Sequence, residues 1–241
     1  MAEIMAADEK RYRTLSVIVP VFNERNTVAE VVRRMRLVDI PLDLQVLMVD
    51  DGSTDGTDKV LAAIEDSTVR VLRHETNRGK GAAIRTGLDH ARGDLVLIQD
   101  ADLEYDPKDW PNLLRPVLDG DATIVYGSRF DGEGMNTSLR RRAGSRFLSL
   151  VTDVLYDTTL SDMLTGYKVF DRRVLDGMTL ESDGFGFEPE FTAKLLRNGH
   201  RIYEVPIGYV MRDRAEGQKY TWTDSFQVLR TVVRYRFRRL P

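Results

Sequence analysis

The sequence predicts an α/β protein built on a doubly wound, mostly parallel sheet in a single domain. Apolar, β-rich runs alternate with helical apolar patterns from Leu15 to Tyr126, the pattern of successive strand–helix–strand units. Polar motifs follow the strands, as they do where ligands sit at the carboxyl edge of a parallel sheet. No Pro/Ser-rich linker, internal repeat or low-complexity segment divides the 241 residues. An α/β chain of this length buries roughly 70–75% of its unfolded surface.

Leu15 to Val21 is the first strand, broken near its end by Pro20. Asn26 to Glu30 then opens a helix whose apolar residues Val31, Val32, Met35 and Val38 recur at helical spacing. Leu44 to Val49 is the second strand. It stops at Asp50-Asp51-Gly52-Ser53-Thr54-Asp55-Gly56-Thr57, a loop dense in turn and cap residues, before a helix over Asp58 to Ile64. Val69 to Leu72 is the third strand, Gly81 to Ala91 the third helix and Leu95 to Gln99 the fourth strand. Trp110 to Leu118 is a helix and Ala122 to Tyr126 the fifth strand. Beyond Gly127 the rhythm breaks, with helices over Arg140 to Tyr156 and Pro189 to Asn198 and strands over Leu164 to Phe170 and Arg201 to Tyr209.

Composition excludes several classes. With 42% hydrophobic and 30% charged residues and a net charge of −3, the chain is an ordinary globular protein, and no nucleic-acid partner is expected. It has no cysteine, so disulfides and thiolate metal sites are ruled out and a reducing, cytoplasmic setting is expected. Residues 1–13 lack the apolar core of a signal peptide, and no apolar run approaches the roughly 18 to 20 residues that cross a bilayer. An integral membrane protein is therefore not expected. Arg230, Arg234, Arg236, Arg238 and Arg239 crowd the carboxyl end beside Phe226, Leu229, Val232, Val233 and Phe237 at helical spacing. That pattern fits a helix resting on anionic lipid, and equally a terminal helix packed on the core with its arginines in water.

The most informative segment is Asp94 to Leu103, an apolar strand that delivers Asp100 and Asp102 at its carboxyl end. Strand alternation puts the two carboxylates on one side, turns Ala101 away to leave room for a ligand, and carries the parity on to Glu104. Hard oxygen donors at this spacing suit Mg²⁺ or Mn²⁺ holding a diphosphate. A turn whose aspartates cap the backbone is the rival reading. Asn23-Glu24, Asp50-Asp51 and Asn77-Arg78-Gly79-Lys80-Gly81 also follow strands, so one edge gathers carboxylates for ribose and base and a glycine-flanked Lys80 for phosphate. Taken alone, Glu24 reads as a solvated loop residue, and for Asp51 a helix-capping role rivals ligand binding and is compatible with it. The frames of a P-loop and of a dinucleotide fingerprint are both missing around Gly79-Lys80-Gly81. Gly-x-Ser-x-Gly is absent, and His74, His90 and His200 lack ligand spacing, which excludes serine-hydrolase and zinc readings.

Val-Pro-Val-Phe-Asn-Glu (19–24), Val-Asp-Asp-Gly-Ser-Thr-Asp-Gly-Thr (49–57), Asn-Arg-Gly-Lys-Gly (77–81), Gln-Asp-Ala-Asp-Leu-Glu (99–104) and Tyr-Gly-Ser-Arg-Phe (126–130) together resemble a family 2 glycosyltransferase of the GT-A fold. Thr165 to Phe170, Phe185 to Glu190, Tyr209 to Arg212 and Glu216 to Lys219 resemble its dolichyl-phosphate mannose synthase branch, the polyprenyl-phosphate glycosyltransferases. The resemblance spans about Leu15 to Arg236. It implies a nucleotide-diphospho-sugar transferase domain over 15–225, with a donor half 15–127 and an acceptor half 128–225. An extension over 1–14 precedes it and a basic amphipathic helix over 226–241 follows.

By that resemblance Pro20, Phe22, Glu24, Val49 and Asp51 hold the nucleotide, with Lys80, Asp100 and Ala101 at the donor, and Asp100, Asp102 and Glu104 bind Mg²⁺ or Mn²⁺. Glu104 stands where relatives often have Gln, which adds a carboxylate. Ser128, Arg129, Arg141 and Ser145 match the grip on an acceptor phosphate, and Arg212 and Lys219 a loop closing over the donor, where Gln218 replaces a frequent Lys. Asp102, Arg129, Arg212 and Lys219 form the implied catalytic set. The implied reaction is inverting, metal-dependent transfer of a hexose from GDP-mannose or UDP-glucose to a polyprenyl phosphate. It takes place peripherally on the cytoplasmic face of a membrane, with a membrane-anchoring partner protein as one route to the lipid. A sugar-hydroxyl acceptor would need a base, for which Asp162, Glu188 and Glu190 are the candidates. A nucleotidyltransferase and a non-catalytic nucleotide-sugar binding module are the rivals from other classes. The first is disfavoured because Pro20 to Glu24 replaces a Gly-rich basic loop, the second by Asp100, Asp102, Arg212 and Lys219.

Overall fold

Residues 11–130, 139–210 and 222–238 are described by a computed structural model. Its strands are β1 (Thr14–Val21), β2 (Asp43–Asp50), β3 (Val69–Arg73), β4 (Leu95–Ile98), β5 (Ile124–Ser128), β6 (Lys168–Asp171) and β7 (Tyr203–Pro206). They form one sheet in the order β3-β2-β1-β4-β6-β5-β7. The pairs β1–β2, β1–β4, β2–β3 and β5–β7 are parallel, whereas β6 runs antiparallel to both β4 and β5. The helices are α1 (Val28–Met35), α2 (Thr57–Ala62), α3 (Lys80–His90), α4 (Trp110–Leu118), α5 (Leu139–Tyr156), α6 (Phe187–Arg197) and α7 (Trp222–Phe237).

Strand alternation divides the apolar residues between two layers. Val17, Val19 and Val21 of β1 and Leu95 and Leu97 of β4 face α1 and α4, where Val31, Met35, Trp110 and Leu113 cover them. Ile18, Val96 and Ile98 face the other way, onto Ile84 of α3 and Phe187 and Phe191 of α6. Both faces of the sheet are covered, which explains why β4 reads as an unbroken apolar run.

Three expectations change. Strand β6 begins at Lys168, not Leu164, because Thr165, Gly166 and Tyr167 turn out of the sheet to meet the end of β4. Strand β4 stops at Ile98, so neither Asp100 nor Asp102 lies on a strand. The terminal helix begins at Trp222 rather than residue 226 and is docked on the body: Val228 and Val232 pack with Leu148 and Met163. Tyr156 donates to the Val232 carbonyl (2.8 Å) and Arg197 to the Tyr235 carbonyl (2.6 Å), which fixes its rotation. Phe226 and Phe237, which share the helical apolar pattern, are 70% and 75% exposed. Arg238 pairs with Glu181, and Arg239 lies outside the described residues.

Gln99 explains how β4 ends. Its buried amide oxygen accepts from Trp110 Nε1 (2.9 Å) and Tyr167 OH (2.7 Å), while its nitrogen donates to the Asp100 carbonyl (3.0 Å). One side chain thus ties the loop after β4 to α4 and to the lead-in of β6. Replacing Gln99 by Leu keeps its volume but leaves the indole N–H and the phenol without this acceptor. Unsatisfied buried donors of this kind cost about 1–3 kcal/mol each. Urea unfolding of Q99L should show a loss of ~3 kcal/mol, and a stability unchanged from wild type would contradict this role.

Candidate active site

The sheet turns its order around at β1: β2 and β3 follow on one side, β4 on the other. Such a switch point opens a crevice at the carboxyl ends of the strands. The loops after β1 and β2 are sewn together there. Asn23 N–H donates to Ser53 Oγ (3.0 Å), Thr54 N–H to Asn23 Oδ1 (2.9 Å) and Glu24 N–H to Thr57 Oγ1 (2.9 Å). Glu24 is buried, with Thr27 Oγ1 donating to its carboxylate at 2.6 Å, so it is not the solvated residue its loop position suggested. Pro20 and Phe22 are half-buried beside it, and Val49 is fully buried.

Asp51 does not cap a helix. The N-cap of α2 is Gly56, and Asp51 instead accepts from Arg78 N–H (2.9 Å) and Gly79 N–H (2.7 Å) with His74 Nδ1 at 2.7 Å. His74 Nε2 reaches Thr86 Oγ1 on α3 at 2.9 Å. An Asp51–His74–Thr86 chain therefore clamps the loop between β3 and α3. His74 lacks metal-ligand spacing in the sequence, and nothing local marks its partner 23 residues away.

The glycines around Lys80 serve backbone contact. A Cβ on Gly81 would lie 2.3 Å from the Ser182 carbonyl oxygen, and Ala82 N–H donates to the Asp183 carbonyl (3.0 Å). Lys80 Nζ lies 2.8 Å from Asp100 Oδ1 and 3.0 Å from Glu188 Oε1. Burial opposes its charge, but Asp100 and Glu188 outweigh that and hold its pKa well above the ordinary lysine value.

Asp100 and Asp102 are half-buried and the intervening Ala101 is buried, so the expected alternation survives although the strand has ended. Asp102 Oδ1 accepts from Glu104 N–H at 3.1 Å, which turns the chain. The Glu104 carboxylate accepts from Tyr209 OH at 2.9 Å, and its carbonyl accepts from Val210 N–H at 3.0 Å. Among the described residues no group of three metal-competent side chains is assembled.

The acceptor-side residues are partly engaged. Arg129 grips Asp162 through Nε (2.6 Å) and a terminal nitrogen (2.8 Å) and lies over the Tyr209 ring. Burial works against this guanidinium, and Asp162 more than compensates, raising its pKa. Ser128 Oγ lies 2.6 Å from Ser161 Oγ, and Glu204 accepts from the N–H groups of Ser161 and Asp162. Ser145 Oγ on α5 is buried without a hydrogen-bond partner among the described residues. Arg141 lies on α5 with its side chain outside the described set, and Arg212 and Lys219 lie outside the described residues altogether. Glu190 accepts from Glu181 N–H (2.8 Å), Ser182 N–H (2.6 Å) and Lys194 Nζ (2.5 Å). An open groove of about 980 Å³ between α1 and α2, lined by Arg25, Val32, Arg36, Lys59 and Ile64, contains none of these residues.

A switch-point crevice edged by carboxylates, with one antiparallel strand inserted in the sheet, defines the GT-A class of nucleotide-diphospho-sugar transferase folds. Residues 16–178 match the family described as Glycosyl transferase family 2, and the chain belongs to that family. It is 35% identical over 83% of its length to an undecaprenyl-phosphate mannosyltransferase of Micrococcus luteus, covering 85% of that protein. It is 30% identical over 95% of its length to the low-salt glycan biosynthesis hexosyltransferase Agl6 of Haloferax volcanii, of which it spans only 55%. Among solved structures, glucosyl-3-phosphoglycerate synthase of Mycobacterium tuberculosis in complex with Mg²⁺ and UDP superposes with a TM-score of 0.69 at 26% identity, covering 92% of this chain and 79% of that one.

Lys168 supports the site from below. Its buried ammonium donates to the Thr165 and Met163 carbonyls and lies over the Tyr126 ring at 4.3 Å. Burial pushes its pKa down to about 8, with Glu188 opposing the shift and Lys80 adding to it. The unfolded chain, with a lysine pKa of about 10.4, binds more protons than the folded chain between about pH 8 and that value. The penalty of the buried charge is therefore full below about pH 8 and is relieved as pH rises through this window. The stability of wild type relative to Lys168→Met should climb from pH 8 to 10 in paired thermal melts, and a flat difference would contradict the buried-charge assignment.

Proposed function

We propose that the chain is a metal-dependent, inverting glycosyltransferase that moves mannose or glucose from a GDP- or UDP-sugar to a polyprenyl phosphate. The observation that carries the proposal is the meeting of Asp100 and Asp102 with the Glu24 and Asp51 loops at one end of neighbouring strands. The mannosyltransferase and UDP-bound relatives support it. Asp100 and Asp102 offer the hard oxygens that Mg²⁺ or Mn²⁺ prefers. Such an ion, when bound, neutralises charge on the departing nucleoside diphosphate. Pro20, Phe22, Glu24, Val49 and Asp51 would form the nucleotide wall, whose loops are already cross-linked and so lose little freedom on binding. Lys80, with Ala101 leaving space beside Asp100, would face the diphosphate, and Arg212 and Lys219 would approach it from the acceptor half.

A phosphate acceptor fits this chain better than a hydroxyl. A phosphate monoester, with its second pKa of about 6, is already largely ionised and needs no base. Of the three candidate bases, Asp162 is engaged by Arg129 and Glu190 by two backbone N–H groups and Lys194, while Glu188 is paired with Lys80 in the resting site. Ser145, whose buried hydroxyl lacks a partner among the described residues, would turn to the acceptor phosphate with Ser128, Arg129 and Arg141. Orientation of that phosphate for in-line attack would then supply much of the catalysis.

Attachment to a membrane surface is part of the proposal. No helix among the described residues is long and apolar enough to cross a membrane. Helix α5 exposes Phe147, Leu150 and Val154, and α7 exposes Phe226, Val233 and Phe237 with Arg230, Arg234 and Arg236 also in solvent. Aromatic and aliphatic side chains among arginines suit anionic headgroups.

The test presents the protein and Mn²⁺ or Mg²⁺ with GDP-mannose or UDP-glucose and a polyprenyl phosphate in anionic vesicles, and reads glycolipid by mass spectrometry. One donor should give glycolipid, Asp102→Asn should lose more than about 99% of it, and sedimentation with the vesicles should fall as salt rises. Transfer only to a sugar hydroxyl, or full activity in D102N, would overturn the proposal.

A further inference from the structure

The two oxygens of Asp100 meet different obstacles. Oδ1 is 2.8 Å from Lys80 Nζ, whereas a Cβ on Gly166 would lie 2.3 Å from Oδ2. The Gly166 backbone cannot withdraw easily, because its N–H donates to Tyr105 OH (3.0 Å) and Tyr105 is buried between the Tyr167 and Tyr209 rings. The start of α3 is equally fixed, since the Ser182 and Asp183 carbonyls press on Gly81 and bind Ala82 N–H. What remains free to change is the four-carbon stem of Lys80, which can swing while its backbone stays in place. A cation that takes Oδ1 of Asp100 must therefore displace the ammonium. The displaced ammonium keeps Glu188 at 3.0 Å but loses Asp100, which leaves it able to take a second anion.

We propose that Lys80 is a resident cation lock on Asp100, so that the divalent metal and the donor's diphosphate bind as a coupled pair: the metal takes Asp100 while the diphosphate receives the ammonium. The proposal rests on the metal-site reading above. Metal without nucleotide binds weakly because it must take Asp100 from Lys80 and leave the ammonium with Glu188 alone. Nucleotide without metal binds weakly because its phosphates lack the second cation. Glu188 keeps the resting lock in register by holding the same ammonium at 3.0 Å.

The test is titration of the full chain with Mn²⁺, following the free ion by electron paramagnetic resonance, with and without UDP or GDP. Wild type, Lys80→Met and Asp102→Asn are compared, and Lys80→Gln replaces Lys80→Met if circular dichroism shows the latter unfolded. Removing the ammonium should tighten Mn²⁺ binding in the absence of nucleotide by about tenfold or more. It should also shrink the factor by which nucleotide improves Mn²⁺ binding. Mn²⁺ binding that Asp102→Asn weakens but neither Lys80 variant tightens would overturn the lock and leave the metal site standing. Mn²⁺ binding indifferent to Asp102→Asn would overturn the metal site and the lock together.

Discussion

The antiparallel pairing of β6 with β4 is the constraint from which the candidate site follows. Lys168 lies opposite Ile98 and Phe170 opposite Val96, so the chain reaches β6 at the same end at which it leaves β4. The segment Met163 to Tyr167 is thereby delivered against the loop that carries Asp100 and Asp102. A parallel strand in that position would have sent its lead-in to the opposite edge of the sheet. From this one pairing come the Gly166 wall behind Asp100, the Tyr167 hydroxyl that helps end β4 through Gln99, and the Lys168 ammonium that holds the 163–165 carbonyls. Asp162, just upstream, reaches Arg129 at the end of the neighbouring β5 in the same way.

Charge is handled by pairing rather than exposure. Arg129 with Asp162, Lys80 with Asp100 and Glu188, and Lys194 with Glu190 are three buried or half-buried sets. Buried pairs of this kind contribute little net stability, since desolvation offsets their attraction, but they hold geometry firmly because losing one partner is costly. Their placement divides labour. Asp162 and Glu190 are saturated and act as scaffolding. Asp100 and Lys80 instead pair with one another and with Glu188 at the carboxyl end of β4. Under the proposed function, that pair would exchange partners for a metal and a diphosphate, and the acceptor would bring its own negative charge.

Much of this was legible in the sequence. The β-rich run Leu15 to Val21 and the apolar run Leu95 to Ile98 marked two central strands. The helix Trp110 to Leu118 matched its expected ends, because Pro111 suits the first helical turn. The convergence of the motifs after β1, β2, β3 and β4 followed from parallel topology alone. What was hidden depended on long-range partners. The direction of β6 is not written in its own residues, since a buried antiparallel strand reads like a parallel one. Glu104 shares the parity of Asp100 and Asp102, and its hydrogen-bond partner Tyr209 lies far along the chain. Gly79 and Gly81 look like phosphate-binding glycines, and only the approach of residues 182–184 shows that they admit backbone. The docking face of α7 shifted for the same reason, since Tyr156 and Arg197 select it from outside the helix.

The most direct measurement is a crystal structure of the chain with Mn²⁺ and UDP or GDP. The expected result is a nucleoside diphosphate lying along the carboxyl ends of β1 and β2, a metal ion on Asp102 and Asp100, and the Lys80 ammonium moved from Asp100 to a phosphate oxygen. A nucleotide seated elsewhere, for instance in the groove between α1 and α2, or a metal ion held away from both aspartates, would contradict the assignment of this edge as the donor site.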